Sequence, residues 1–238
     1  MTTALQAWIA LIGGLATTLL GILKYFSYRS RRDRLAVVGQ AFGEAVDSLA
    51  SKDEVKQLAA AILLRRFFDR HTEQGAAGAP YQQEAIRVIA ALLRATKTGE
   101  LQKLLADGLA FAPNLRGADL QHCNLSGAYL GDRLGRKVDL SDADLYEADL
   151  TSASLRGATA RGTVFYGAVL TKTVLENADL SHADFRDADL TDARFDGAIL
   201  HGARFAGAKN APSEVAALLA LDQDPIASPQ PRGKPMRC

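Results

Sequence analysis

The sequence predicts a mainly β solenoid, preceded by an α-helical region and by one N-terminal transmembrane helix. Three observations lead to this fold class: an uncharged start, two segments with helical periodicity, and a strict five-residue repeat from Pro113 to Gly207. The chain has 238 residues and a net charge of +1, which suits two small domains better than one large core. The predicted boundaries are an anchor at 1–28, a helical cytoplasmic domain at 29–110, the solenoid at 111–208, a short capping helix at 209–222 and a disordered tail at 223–238.

The N-terminal segment predicts a membrane anchor. No charged side chain occurs from Met1 to Leu23, and residues 4–23 provide the roughly 20 apolar residues that a spanning helix needs. Lys24 and several arginines follow at once, and no cleavage site of a signal peptide is evident. By the positive-inside rule, this basic flank stays in the cytoplasm. We therefore expect a single-pass membrane protein, with its N-terminus outside and its later domains in the cytoplasm. The alternative is a buried helix of a soluble domain.

The same segment carries a weak signal for self-association. Gly14 and Thr18 are four residues apart, so they lie on one face of a helix. Small residues at this spacing let two spans pack closely in a bilayer. The expected contacts of the anchor are therefore lipid and, through this face, a weak homodimer.

The region from Asp33 to Ala110 has helical periodicity. Ser51 and Glu54 form a capping box ahead of a helix with a broad apolar face, and residues 81–95 predict a second helix. Thr98 is placed to cap a third helix through Leu105.

The repeat region has a period that neither a helix nor a strand explains. A large apolar residue recurs every five positions, and a small residue stands two positions before it. Gly135 and Ala160 are the only positions of this series without a large apolar residue. Helices repeat their faces every 3.6 residues and strands every 2, so a period of five indicates the coils of a solenoid. Cys123 takes one of the small inward positions, which predicts an inert core thiol.

The pattern A-(D/N)-L-x-x resembles the pentapeptide-repeat family. This resemblance implies a right-handed, four-sided β-helix in which each pentapeptide forms one side and residue i lies above residue i+20. The helical segments "LAAAILLRRFF" and "EAIRVIAALLR" resemble the short HEAT-like preamble of bacterial membrane-anchored members of the family. This resemblance implies that the membrane is a bacterial inner membrane. Such a preamble is expected to cover the open first coil, whose unpaired edge would otherwise invite aggregation.

The sequence contains no constellation for catalysis. Its four histidines lack metal-ligand spacing, although His182 and His201 are expected to lie near each other on adjacent coils. Aspartate occupies the second position of many repeats, where hydrogen bonding within a turn explains it without chemistry. We therefore predict a protein that is not an enzyme and that binds no cofactor or metal. These aspartates are Asp119, Asp144, Asp149, Asp179, Asp184 and Asp189.

Two places on the solenoid are candidate partner-binding sites. A twenty-residue coil would align Ser126, Tyr146, Tyr166 and Arg186 in one surface column, which is either a local stacking ladder or a binding patch. The second place is the irregular stretch from Asp132 to Lys137, which is either a distorted repeat or a protruding loop. Loops on rigid scaffolds often carry function. The candidate residues are Arg133, Arg136, Lys137, Tyr146, Tyr166 and Arg186.

These observations favour a membrane-tethered interaction scaffold that holds an unidentified protein partner and does not bind nucleic acid directly. The resemblance also raises an alternative, because some pentapeptide-repeat proteins mimic duplex DNA and bind type II topoisomerases, which protects against quinolones. A DNA mimic should present a dense acidic face. The repeat region holds 14 acidic and 10 basic side chains, so its net charge is only −4, and interspersed arginines break up the acidic surface.

Overall fold

The computed structural model describes residues 32–69, 71–72, 79–112, 114–132, 137–213 and 215–216. The predicted membrane span, most of the predicted C-terminal helix and the predicted tail lie outside these residues. Within the described ranges, no helix is long and apolar enough to cross a membrane. The chain divides into two compact units, one of residues 1–92 and 111–113 and the other of residues 93–110 and 114–238.

The first unit is helical. Helix α1 spans 32–49, α2 spans Glu54–Leu64 and continues into a 3₁₀ turn at Arg65–Phe67, and α3 spans Ala79–Ala95. Buried side chains of all three helices form its core, in which the rings of Phe42 and Phe67 meet edge to face at 5.3 Å. The predicted capping box of Ser51 and Glu54 is wrong. Asp53 is the N-cap of α2, because its carboxylate accepts hydrogen bonds from the backbone N–H groups of Val55 and Lys56.

The second unit begins with the end of α3 and with α4, Glu100–Leu109. Helix α4 is longer than predicted, and the residue before it is Gly99 rather than the expected cap, Thr98. The Thr98 hydroxyl instead accepts a hydrogen bond from the side-chain amide of Asn124, at 3.2 Å. We call residues 93–110 the lead-in to the solenoid. Thr98, which was predicted to cap a helix, thus bonds the lead-in to the first coil.

The repeats form a β-helical solenoid of four full coils and part of a fifth. Each coil contributes one bridge residue to each of four sides, and successive coils pair in parallel. We number the sides by their bridge residues: side 1 contains Asp144, Val164 and Asp184; side 2 contains Asp149, Val169 and Asp189; side 3 contains Ser154, Val174 and Arg194; side 4 contains Thr159, Asp179 and Ile199. Single bridge residues, rather than extended strands, make up the described sides.

Each side ends in a tight turn. The backbone N–H of the small residue donates to the carbonyl of the preceding large residue, as Ala148 does to Leu145 at 3.1 Å. The residue before the small one adopts a left-handed conformation, as in Glu147 (φ 50°) and Gly157 (φ 67°). A positive φ at this place is what a type II turn requires. The turn residues therefore point outward at four corners that repeat with every coil.

The predicted role of the six repeat aspartates, hydrogen bonding within a turn, is confirmed. All six aspartates accept a hydrogen bond from the backbone N–H two residues later, as Asp144 does from Tyr146 at 3.0 Å. Such Asx turns hold the chain in position for the corner. One oxygen of each carboxylate is thus used within the turn.

The first coil contains five more residues than the others. Asp119, Asn124 and Tyr129 pair with residues 25 positions later, Asp144, Asp149 and Ser154, whereas every later pair is separated by 20. Asp132 and Val138 both keep their ladder bonds to the next coil, to the carbonyl of Arg156 and the N–H of Thr159. Five residues of the sequence separate these two anchor points, which equals the difference between the two pairing separations. This corrects the expectation of a constant twenty-residue stack, and the side-chain columns of the first coil are shifted accordingly.

The solenoid interior is filled as predicted. Phe165, Phe185 and Phe205 lie in one column and are fully buried, with ring centroids 4.8 Å and 5.0 Å apart and nearly parallel planes. Leu145 is buried below them. Cys123 is also buried, and burial raises the pKa of its thiol to about 11, so the thiol stays protonated and unreactive at neutral pH.

Candidate functional site

The corner between sides 1 and 2 brings together three of the predicted site residues. The rings of Tyr146 and Tyr166 are stacked on successive coils, with centroids 5.6 Å apart and planes 8° from parallel. The guanidinium carbon of Arg186 lies 5.4 Å from the centroid of the Tyr166 ring. The predicted alignment of these three residues is therefore confirmed.

The fourth member of that column was predicted wrongly. The 25-residue first coil places Gln121, not Ser126, below Tyr146, and the neighbouring His122 packs its ring edge to face against Tyr146 at 5.4 Å. Ser126 lies instead on the next corner, where its carbonyl accepts a hydrogen bond from Gln102. We call His122, Tyr146, Tyr166 and Arg186 the aromatic corner.

Arg186 is held in place by its own turn. Its guanidinium donates three hydrogen bonds to the carboxylate of Asp184, at 2.6–3.1 Å, and both side chains are largely shielded from solvent. Hydrogen bonding to Asp184 raises the pKa of Arg186 further. Because a bidentate pair fixes the plane of the guanidinium, the top of the aromatic corner is pre-organised.

Two further carboxylates flank the tyrosines. Hydrogen bonding to Glu147 raises the pKa of Tyr146, and hydrogen bonding to Asp187 raises the pKa of Tyr166. Glu147 also lies 3.4 Å from the imidazole of His122. The sequence pattern did not single out His122, Glu147 and Asp187, although each directly follows Gln121, Tyr146 or Arg186 of the corner.

Charge is distributed unevenly around the solenoid. On sides 3 and 4 and their corners, ion pairs neutralise most of the described arginines, including Arg156 with Glu176 and Arg161 with Asp179. Six carboxylates of sides 1 and 2 and their corners take part in no described ion pair with lysine or arginine. These six are Asp144, Glu147, Asp149, Asp187, Asp189 and Asp192.

The basic excursion is only partly described. Lys137 is exposed directly before Val138, and it forms none of the described ion pairs. Arg133 and Arg136 lie outside the described residues, so their roles remain predictions. The five surplus residues of the first coil fall at this place, in agreement with the irregularity seen in the sequence.

The described residues contain no grouping of three or more histidine, cysteine, aspartate or glutamate side chains that would hold a metal ion. His182 and His201 do lie together on adjacent coils, as predicted, with ring centroids 5.5 Å apart. A cavity of about 310 Å³ lies in the first unit, between α1 and the end of α2 with its 3₁₀ turn. Small and apolar side chains line most of it, together with Glu44 and Arg66.

Comparison with family models identifies the repeats. The family model for pentapeptide repeats matches residues 114–151, 148–187 and 173–209, with 8 copies. No curated protein matches the chain.

Several solved structures are similar to the repeat region. A pentapeptide repeat protein (alr5209) from Nostoc PCC 7120 is 36% identical over 37% of this chain and 77% of its own, with a TM-score of 0.30. A pentapeptide repeat protein (Rfr23) from the cyanobacterium Cyanothece 51142 is 29% identical over 42% of this chain and 63% of its own, with a TM-score of 0.37. QnrB1, a plasmid-mediated fluoroquinolone resistance protein, is 26% identical over 40% of this chain and 56% of its own, with a TM-score of 0.18.

Proposed function

Because this chain belongs to the pentapeptide-repeat family, we propose that it is a non-enzymatic scaffold, tethered to the cytoplasmic face of a membrane, that holds a protein partner on its solenoid. The observation that carries this proposal is the continuous ladder of parallel bridges, which fixes exposed side chains in columns at coil spacing. A surface that is ordered before binding loses little conformational entropy when a partner docks.

Site-specific photocrosslinking in the native cell tests the scaffold function. Asp144, Asp149, Ser154 and Thr159 are bridge residues of one coil, one on each side of the solenoid. A benzophenone side chain at each of these four positions samples the four sides at the same height. We expect a discrete protein adduct from one side or from two adjacent sides. Absence of an adduct from all four positions, or the same adducts from every side, would contradict a specific scaffold.

The tether is supported by the uncharged segment 4–23 and the basic residues that follow it. A phosphatase that is active only outside the cytoplasm, fused to the C-terminus, tests this orientation. We expect an inactive fusion that sediments with membranes. An active fusion would show that the orientation is reversed, and an inactive fusion in the soluble fraction would show that no tether exists.

The second candidate function is binding to a type II topoisomerase as a DNA mimic. The observation that favours it is the set of six carboxylates without lysine or arginine partners on sides 1 and 2. Val164, Val169, Arg204 and Lys209 interrupt that acidic surface along the same bridge columns, which is why we rank this function second. A supercoiling assay with purified gyrase discriminates the two functions. Potent inhibition by the protein, or protection from a quinolone, would reverse the ranking.

A further inference from the structure

Helices α1 and α2 carry matching stripes of side chains. On each helix, with the 3₁₀ turn included for α2, five residues stand at positions i, i+4, i+7, i+8 and i+11, which share one face of an α-helix. Six of the ten residues line the cavity between the two helices. We call the two stripes together the α1–α2 face. Its residues are Val37, Ala41, Glu44, Ala45 and Ser48 of α1, and Val55, Ala59, Ile62, Leu63 and Arg66 of α2 and its turn.

The α1–α2 face is apolar for an exposed surface. Val37, Val55, Ile62 and Leu63 expose between 46% and 74% of their surface, and they make up four of the eight large hydrophobic residues that are exposed in the described part of the chain. Single exposed apolar residues are common, whereas a group of them beside one cavity marks a contact surface. The Ser48 hydroxyl donates to the carbonyl of its own helix four residues earlier, at 2.7 Å, so it needs no outside partner.

The shape of the face is complementary to itself. Alanine and serine of α1 line the cavity of about 310 Å³, whereas the larger Val55 and Ile62 of α2 are exposed and do not line it. A cavity of about 150 Å³ holds a group the size of benzene, so this one has room for an aliphatic side chain from outside. One face therefore presents both a groove and the kind of side chain that fills it.

The charges of the face are also complementary to themselves. Glu44 and Arg66 both line the cavity and are both exposed, and neither takes part in an ion pair among the described residues. A two-fold axis makes any residue pair meet twice, with the roles exchanged. It would bring Glu44 of each copy to Arg66 of the other, whereas an unrelated partner would have to match one anion and one cation separately.

We propose that the α1–α2 face pairs with the same face of a second copy of this chain, with two reciprocal ion pairs between Glu44 and Arg66. Two neighbouring helices of this length present roughly 400–500 Å², below the ~800 Å² that each partner contributes to a standard interface. The pairing is therefore weak between free chains, and it rests on the tether of the proposed function for its strength. Confinement of the copies to one membrane raises their effective concentration without any new contact.

Cysteine crosslinking of the full-length protein in its membrane tests the pairing. Cys238→Ser removes one thiol, and the buried Cys123 does not react because its pKa is raised to about 11. On this background, Ala59→Cys places a thiol on the α1–α2 face, and the control Arg87→Cys places one on the exposed surface of α3. With a short bis-maleimide, we expect a dimer-sized adduct from position 59 and only a collisional background from position 87. Equal yields, or an adduct of position 59 with a different protein, would overturn the proposal.

Exchange of the two charges tests the reciprocal ion pairs. Glu44→Arg alone, or Arg66→Glu alone, sets like charges opposite each other across the interface, which is costly. Each should lower the crosslink yield from position 59 several-fold, and the two together should return it to the level of the parent. The control Arg87→Glu should leave the yield unchanged, and thermal melting close to that of the parent verifies that each variant folds. Single variants without effect, or a combination that restores nothing, would overturn the proposal.

The pairing and the tether fail in distinguishable ways. Fractionation of the phosphatase fusion reports the tether and involves no residue of the α1–α2 face. A protein in the membrane fraction without the position-59 adduct would overturn the pairing and leave the tether in place. A protein in the soluble fraction that still forms the adduct would contradict the tether and support the pairing.

Discussion

Gly131 shows how a single residue is constrained by the coil above it. Its φ is not in the left-handed region, so conformational freedom does not explain this glycine. A β-carbon there would lie 2.7 Å from the carbonyl oxygen of Arg156 and 3.0 Å from its backbone nitrogen. The backbones of two coils approach each other closely at this point, directly before the surplus residues of the first coil.

We predict that Gly131→Ala destabilises the protein by about 1–3 kcal/mol, because the β-carbon displaces a neighbouring backbone rather than a flexible side chain. Denaturant unfolding of the purified protein measures the change. The control is Gly43→Ala in α1, where a β-carbon meets nothing within 4 Å and where alanine favours the helix by about 0.5–1 kcal/mol. A Gly131→Ala variant as stable as the parent would show that the first coil relaxes freely at this place.

Residue-scale roles were predictable where a pattern repeats and not where a contact is unique. The six repeat aspartates were assigned to turns from their position alone, and all six form those hydrogen bonds. The N-cap of α2 was assigned to the wrong residue because Ser51, Asp53 and Glu54 all suit a helix start. Only the geometry decides between neighbouring candidates of similar propensity.

At the scale of elements, the phenylalanine column shows how stacked coils share one core. Phe185 lies between Phe165 and Phe205, and Phe195 also packs edge to face against it, at 5.7 Å. The Phe185 ring therefore packs against side chains of the coil below and of the coil above, as well as of its own coil.

We predict that Phe185→Ala costs about 3–5 kcal/mol, the usual penalty for deleting a buried aromatic ring. Thermal and denaturant unfolding measure the loss. The control is Tyr166→Ala, which removes a ring of similar size from the partly exposed corner and should cost markedly less. A Phe185→Ala protein that melts with the parent would contradict the contribution of the column to stability.

The second element of interest is the lead-in that bonds to the first coil. Gln102 of α4 is buried and donates hydrogen bonds to the carbonyls of Asn124 and Ser126, at 3.0 Å and 3.2 Å. Arg94 donates to the carbonyls of Asp119 and Gln121, and the carbonyl of Leu93 accepts from the N–H of Asn124. Polar groups of the lead-in thus satisfy the edge of the first coil, which has no coil below it.

We predict that Gln102→Leu destabilises the protein by about 1–3 kcal/mol, because two partly buried carbonyls lose their donor while the apolar contacts are kept. The control is Lys103→Leu, the exposed neighbour on the same helix, which should change stability by less than about 0.5 kcal/mol. Hydrogen exchange of the first-coil amides gives a local readout. If those amides exchange equally slowly in both variants, Gln102 does not cap the coil.

For the whole molecule, the five-residue pattern predicted the fold and missed the register. One additional pentapeptide keeps the later apolar residues in phase, so the period of five continues beyond the irregular stretch at Gly135 while the pairing changes from 20 to 25 residues. Ser126 was misplaced for this reason, whereas Tyr146, Tyr166 and Arg186, all above the insertion, were placed correctly. The chemical pattern of one side contains no information about how many sides close a coil.

We predict different solution behaviour for two truncated chains. A chain that begins at Asp33 keeps the lead-in of residues 93–110 and should remain soluble, whereas a chain that begins at Pro113 loses it and should aggregate through the exposed coil edge. Sedimentation velocity of both purified chains measures the difference. A monodisperse, folded chain from Pro113 would show that the repeats need no cap, and the partner site would then be sought in the helices.

The 25-residue coil also makes the protein a convenient engineering scaffold. The bonds of Asp132 and Val138 to the next coil are intact although the first coil contains five surplus residues. Because the bonds on both sides of this segment are in place, we expect it to accept substitutions and insertions while the ladder is kept. A fluorescent reporter or an epitope grafted there would be held between two fixed anchor points, Asp132 and Val138.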